Sequence, residues 1–187
     1  MILPVTLYGD PVLKKRAAEI DANHPNLQDI IKNMWQTMYA ASGVGIAAPQ
    51  VGLSIRLFVV DTVQLKDKKN KDFVGIKKVF INPTILEEEG EEWKYEEGCL
   101  SIPGIREDVL RKPDIKIQYF DENFNEFTES YTDINARVIQ HEYDHIEGIL
   151  FTDKLNVLKK KLILPKLNKI SRGEVDVDYR VRAYKSK

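Results

Sequence analysis

The segment His141-Glu142-Tyr143-Asp144-His145 is an H-E-x-x-H pattern. On a helix, positions i and i+4 lie on one face about one turn apart, so both imidazoles can reach a single cation while the glutamate contacts water held there. With 3 histidines and 15 glutamates in 187 residues, chance alone gives about 0.004 such occurrences. A catalytic site of the zinc type needs a third protein ligand and an open position. The extended pattern that ends in a third histidine is excluded, because Gly148 fits it but Phe151 stands where that histidine belongs. Glu147 is too close along the same helix, and Glu174 lies in a poorly patterned tail. The better candidate is Cys99, the chain's one cysteine, within Glu97-Gly98-Cys99-Leu100-Ser101. A thiolate is a strong ligand for zinc and for ferrous iron, and Gly98 lets the backbone approach closely.

A third segment, Gly43-Val44-Gly45-Ile46-Ala47-Ala48-Pro49-Gln50, carries little side-chain bulk. It suits close backbone approach by an extended ligand, and Gln50 offers an amide donor to a carbonyl or oxyanion. It lacks the G-x-G-x-x-G spacing and the preceding strand of a dinucleotide site. Taken alone, it reads better as a tight turn packed with small residues.

The three segments together resemble the peptide deformylases of bacteria and organelles. That family carries G-x-G-x-A-A-x-Q, E-G-C-x-S and Q-H-E-x-D-H in this order, matched by Gly43–Gln50, Glu97–Ser101 and Gln140–His145. Gly9-Asp10-Pro11-Val12-Leu13 and Ile81-Asn82-Pro83 extend the likeness, which runs to about Thr152. The resemblance implies a hydrolase that removes the formyl group from the N-terminal formylmethionine of nascent chains and releases formate. It implies that Cys99, His141 and His145 bind one divalent metal, Fe2+ in the cell, with Zn2+, Ni2+ or Co2+ able to replace it. Water or hydroxide fills the fourth position and is the nucleophile, and Glu142 is the general acid and base. Gln50 and the Leu100 N–H are the implied oxyanion donors, and Gly45 holds the substrate backbone. Val44, Ile134, Val138, the His141 ring and the Glu97-Gly98 backbone are candidates for the methionine pocket, and Arg106 and Arg111 for orienting Glu97.

These residues need elements to position them. Leu27, Ile30, Ile31, Met34, Trp35, Met38 and Tyr39 follow the helical rhythm i, i+3, i+4, i+7. Ile55–Val60 reads as a buried strand, and Val79–Ile81 reads as another that ends before Asn82-Pro83. Glu87–Glu92 suggests a turn around Gly90, followed by a short strand through Trp93 and Tyr95. Ile115, Ile117 and Tyr119 alternate and predict a hairpin with Phe127–Tyr131 across Asp121–Asn125. A helix from Ile134 to about Glu147 carries the histidines, with Gly148 as its left-handed cap. Asn156 toward Pro165 is helical, the charged stretch Lys66–Asp72 is a solvated loop, and Val175–Lys187 shows no clear period. The expected fold is α+β: mostly antiparallel sheets around a central helix bearing H-E-x-x-H, with an N-terminal amphipathic helix and a C-terminal helix, in one domain over 1–187.

Composition bounds the partners. Lys plus Arg number 28 against 29 Asp plus Glu, a net charge of −1, so no global field recruits DNA or an acidic membrane. No apolar run is long enough to span a bilayer, the N-terminus lacks a signal-peptide pattern, and the lone cysteine excludes an internal disulfide. A cytoplasmic enzyme acting on formyl-Met nascent peptides is expected, with a transient ribosome contact as an option. Lys159-Lys160-Lys161 and Lys166 would contact rRNA in the non-enzymatic reading below, and the run reads more readily as a solvated helix face. A zinc peptidase and a ribosome-associated module with a structural metal are the competing readings. The first predicts cleavage that survives Cys99→Ser, and the second needs a fourth protein ligand.

Overall fold

The computed structural model describes residues 1–66 and 72–185. In chain order the elements are β1 (Val5–Thr6), α1 (Leu27–Ala40), β2 (Gly45–Ala47), β3 (Leu57–Asp61), β4 (Lys77–Glu89) and β5 (Trp93–Cys99). There follow β6 (Ile102–Arg111), β7 (Asp114–Phe120), β8 (Glu126–Tyr131), α2 (Asp133–Ile146), α3 (Val157–Ser171) and β9 (Val181–Arg182). Strands β2-β3-β4-β7-β8 form one antiparallel sheet in that order, β5 and β6 form a separate hairpin, and β1 pairs with β9 in parallel. The result is a mixed fold of helices on antiparallel sheet. Of the expected loop Lys66–Asp72, residues 67–71 lie outside the described part.

Strand β3 explains the sheet's place in the core. Leu57 and Val59 turn to one side and pack with Ile31, Met34 and Met38 of α1, while Phe58 and Val60 pack with Ala136 and Ile139 of α2. A strand covered on both faces must be apolar throughout, which is why its pattern is continuous rather than alternating. Across β3, β4 and β7, Phe58 stacks on Phe80 at a centroid distance of 4.8 Å and Phe80 meets Tyr119 at a tilt, 4.4 Å away. A third cluster joins Leu7, Ile102, Val109 and Phe151 to Leu167 and Ile170 of α3.

Three expectations are corrected. Strand β4 does not stop before Asn82-Pro83. Asn82 takes φ 47° at a register shift between Ile81 and Thr84, and its amide bonds both the N–H and the C=O of Ile20. The turn signal has become a bulge, which absorbs the left-handed residue and the proline without ending the strand. Helix α3 continues through Pro165 to Ser171. The carbonyl that Pro165 leaves unbonded belongs to exposed Lys161, where water can serve it, and buried Leu167 and Ile170 anchor the second half. The tail also has a period: Val175, Val177, Tyr179 and Val181 turn inward, with exposed residues between them.

Candidate active site

Helix α2 presents His141 and His145 with ring centroids 5.1 Å apart. Cys99 ends β5 at a register shift between Gly98 and Cys99, an irregularity that re-aims the side chain out of the ladder. Its Sγ lies 3.3 Å from His145 Nε2, and the ligand atoms of Cys99, His141 and His145 all fall within 4.8 Å of one another. One thiolate and two imidazoles at this spacing fit a divalent cation and leave a fourth position for water or substrate.

The surrounding charges orient the donors. His141 Nδ1 lies 2.9 Å from Glu97 Oε2, which turns Nε2 toward the cluster. Arg111 grips both oxygens of Glu97 through Nε and Nη2 at 2.7 and 3.0 Å and reaches Asp144 through Nη1 at 2.7 Å. Arg137 Nη1 adds a 3.0 Å bond to Glu97 Oε1. Burial alone would favour a neutral Glu97, but the bonds from His141 and Arg111 outweigh it and hold the carboxyl far below the usual range. Burial likewise opposes charge on His141, yet Cys99 and Glu97 raise its pKa well above that of free histidine. His145 is driven the other way, by burial and by the charge of His141, and stays neutral. A cation held by Cys99, His141 and His145 would compete with protons for the same lone pairs.

Glu142 is almost fully buried, and one of its oxygens has no hydrogen-bond partner among the described residues. Burial raises its pKa to about 7, with His141 opposing and Glu97 adding to the shift. Its carboxylate rests against Gly45, where a Cβ would come within 2.5 Å of Oε1. Gly45 belongs to β2, one of the two edge strands of the sheet. Gln50 is fixed by a 2.8 Å bond from the Ala47 N–H to its Oε1, and its Nε2 lies 3.4 Å from Cys99 Sγ and 3.3 Å from Ser101 Oγ. The amide donor is thereby aimed at the metal-ligating cluster.

Val44, Gly45, Gln50, Glu97, Gly98, Cys99, Leu100, Ile134, Val138, His141 and Glu142 line one cleft of about 540 Å³, with His145 buried behind it. Arg106 lines the cleft but leaves Glu97 to others: its Nε pairs with Glu96 at 2.8 Å in an exposed ion pair. The cation missed from sequence is Arg137, which also donates to the carbonyls of Val109 and Trp93 and stacks 4.6 Å from the Trp93 ring. Its signal was a charge four residues before His141, one turn away on the helix that carries the ligands. Tyr95, Val177 and Tyr179 are further cleft residues that the motifs did not mark.

A Cys-His-His cluster, a buried glutamate beside it and a sheet-edge strand in the cleft wall are the arrangement of a metal-dependent hydrolase. Residues 2–161 match the family described as polypeptide deformylase, and the chain belongs to that family. It is 58% identical to a peptide deformylase of Christiangramia forsetii, with 97% of this chain and 96% of that one covered. It is 56% identical to one of Flavobacterium psychrophilum, with 97% of each covered. Among solved structures, a peptide deformylase from Legionella pneumophila superposes with a TM-score of 0.81 at 37% identity, over 93% of this chain and 98% of that one. One from Plasmodium falciparum gives 0.80 at 36% identity, over 90% and 95%. Enzymes of this family remove the N-formyl group from nascent peptides and use a divalent metal.

Proposed function

We propose that this chain hydrolyses the N-formyl group of formyl-Met nascent peptides, with Cys99, His141 and His145 holding Fe2+ in the cell. Zn2+, Ni2+ and Co2+ suit the same donors. The carrying observation is the convergence of a thiolate, two imidazoles and the Glu142 carboxylate on a cleft whose rim is the β2 edge. A divalent cation bound there supplies Lewis acidity and lowers the pKa of water toward neutrality. Glu142 takes the proton of the attacking water and passes it to the departing amine, a task suited to a group titrating near pH 7. The Gln50 amide and the Leu100 N–H donate to the oxygen that gains charge. Gly45 takes the substrate backbone along the strand edge, in the manner of an added strand. Val44, Ile134 and Val138, with the Glu97-Gly98 backbone and the His141 ring, receive the methionine side chain, an apolar body that prefers such a wall.

We read residues 1–187 as one catalytic domain, with the mostly antiparallel sheets arranged around the helix that carries both histidines. No helix among the described residues is long and apolar enough to cross a membrane, and the proposed location is the cytoplasm. The exposed lysines of α3, with Leu158 and Leu162 also exposed beside them, support a transient ribosome contact.

Formate release from a formyl-Met tripeptide tests the reading. Wild type is expected to release formate, with Glu142→Ala and Cys99→Ala each reducing kcat by at least about 1,000-fold. Undiminished release by Glu142→Ala sinks the mechanism, and no release by the metal-loaded wild type sinks the function. For the ion, protein purified without oxygen should contain mainly iron and lose activity in air. Mainly zinc with air-stable activity refutes the choice of Fe2+.

A further inference from the structure

The segment from Val175 to Arg182 lies beyond residues 2–161, the stretch of the family's common pattern, although relatives align over 97% of the chain, and it reaches the cleft. It returns from α3 toward the first strand of the chain. There the Val5 N–H donates to Arg180 O at 2.8 Å and the Leu7 N–H to Arg182 O at 2.9 Å, and Arg182 bonds Thr6 Oγ1 at 3.0 Å. Arg180 also reaches the Ile2 carbonyl at 3.0 Å. Held in this way, the segment places Val177 and Tyr179 in the cleft wall.

Tyr179 meets the site at one defined atom. Cys99 and Ile102 are a paired position of the β5–β6 hairpin, so Leu100 and Ser101 form a two-residue turn between them. In such a turn the central peptide, here Leu100–Ser101, is the one that can flip, because the ladder holds neither its N–H nor its C=O. Tyr179 donates its hydroxyl to Leu100 O at 2.8 Å, and the Tyr8 N–H donates to Ser101 O at 2.8 Å. Both turn carbonyls are thereby tied to the two ends of the chain. Fixing the Leu100 carbonyl fixes Leu100 ψ and Ser101 φ and so anchors the Leu100 Cα, the pivot on which the preceding peptide, which carries the Leu100 N–H, is held.

We propose that the Val175–Arg182 strap is a working part of the active site, with Tyr179 as a positioning residue for the Leu100 backbone and Val177 as a substrate-facing wall. The inference rests on the deformylase reading, in which the Leu100 N–H is a donor to the charged oxygen. It makes the C-terminal tail a determinant of turnover and of peptide selection in this chain, whereas the metal ligands all come from Cys99 and α2.

The test measures kcat and KM for formate release from a formyl-Met tripeptide by metal-loaded full-length protein, with metal content and melting temperature recorded for each variant. Tyr179→Phe keeps the ring and removes only the hydroxyl. It is expected to lower kcat about tenfold with KM within about twofold, less than the 10²–10³-fold typical of deleting an oxyanion donor outright. Metal content and melting temperature should hold. Val177→Ala, the milder change, should do the converse, raising KM about threefold with kcat within about twofold. An unchanged kcat in Tyr179→Phe beside an active wild type overturns the positioning role, as does a loss that tracks lost metal. An unchanged KM in Val177→Ala overturns the wall. An inactive wild type instead refutes the deformylase reading itself.

Discussion

Glu97 is the residue on which the charges of the site converge. Its two oxygens accept from Arg111 twice, from Arg137 and from His141, in a pocket where it is only 5% exposed. Removing one partner of a buried network leaves the others uncompensated, at a cost of about 3 kcal/mol. Glu97→Gln should therefore lower thermal stability by roughly that amount. The variant also loses the anion that steadies His141, so metal affinity should fall about 10- to 100-fold in a competition titration with a chelator. A variant that keeps wild-type metal affinity would show that His141 is oriented by its helix alone. The cluster that could hold a metal was legible from sequence, the two histidines because their type is rare and their spacing is local to one helix, and Cys99 because it is the chain's one cysteine. Arg137 was not, because its partners Glu97, Val109 and Trp93 come from β5 and β6, whose register no local pattern announces.

Elements act on the site through glycines that permit close approach. At Gly45 the edge strand β2 touches the Glu142 carboxylate, and a Cβ would stand 2.5 Å from Oε1 and 2.9 Å from the carboxyl carbon. Gly45→Ala should displace the Glu142 carboxylate, the proton carrier of the proposed reaction, and reduce kcat by about 100-fold, while the fold, read by circular dichroism and melting, survives. Gly148 works differently. It follows α2 with φ +76°, and a Cβ would come within 2.7 Å of the Lys14 backbone. Gly148→Ala combines left-handed strain with a clash that a backbone cannot relieve cheaply, and should cost about 2 kcal/mol in chemical denaturation. Its position as the cap of α2 was readable from sequence, as were α1 and the β7–β8 hairpin, since each is specified by neighbours in the chain. The continuation of β4 through Asn82-Pro83 and of α3 through Pro165 was hidden because local breakers were overruled by contacts with Ile20, Leu167 and Ile170.

At the scale of the molecule, the sheet order and the docking of the tail on β1 were beyond any local signal, because both are choices among distant pairings. The same long-range order assembles a polar network from three strands outside the cleft. Glu129 of β8 accepts from Lys78 of β4 at 2.7 Å and from the hydroxyls of Tyr119 on β7 and Tyr131 on β8. Burial opposes the Glu129 charge, but the bonds from Lys78, Tyr119 and Tyr131 prevail and hold its pKa below the ordinary value. A carboxylate depressed on folding contributes stability that is fully present above its unfolded pKa, near 4.3. That contribution is lost as pH falls through the folded value. Lys78 and Glu129 are each 33% exposed, so solvent screens part of the effect and about 1 kcal/mol is expected. Glu129→Gln should thus be less stable than wild type at pH 7, and the gap should begin to close below the unfolded value near pH 4.3 and vanish once the pH has fallen through the lower folded one. Because none of these residues lines the cleft, kcat and KM at pH 7 should be unchanged. A gap in stability that persists at low pH would mean that packing of the side chain, and not its charge, holds the three strands together.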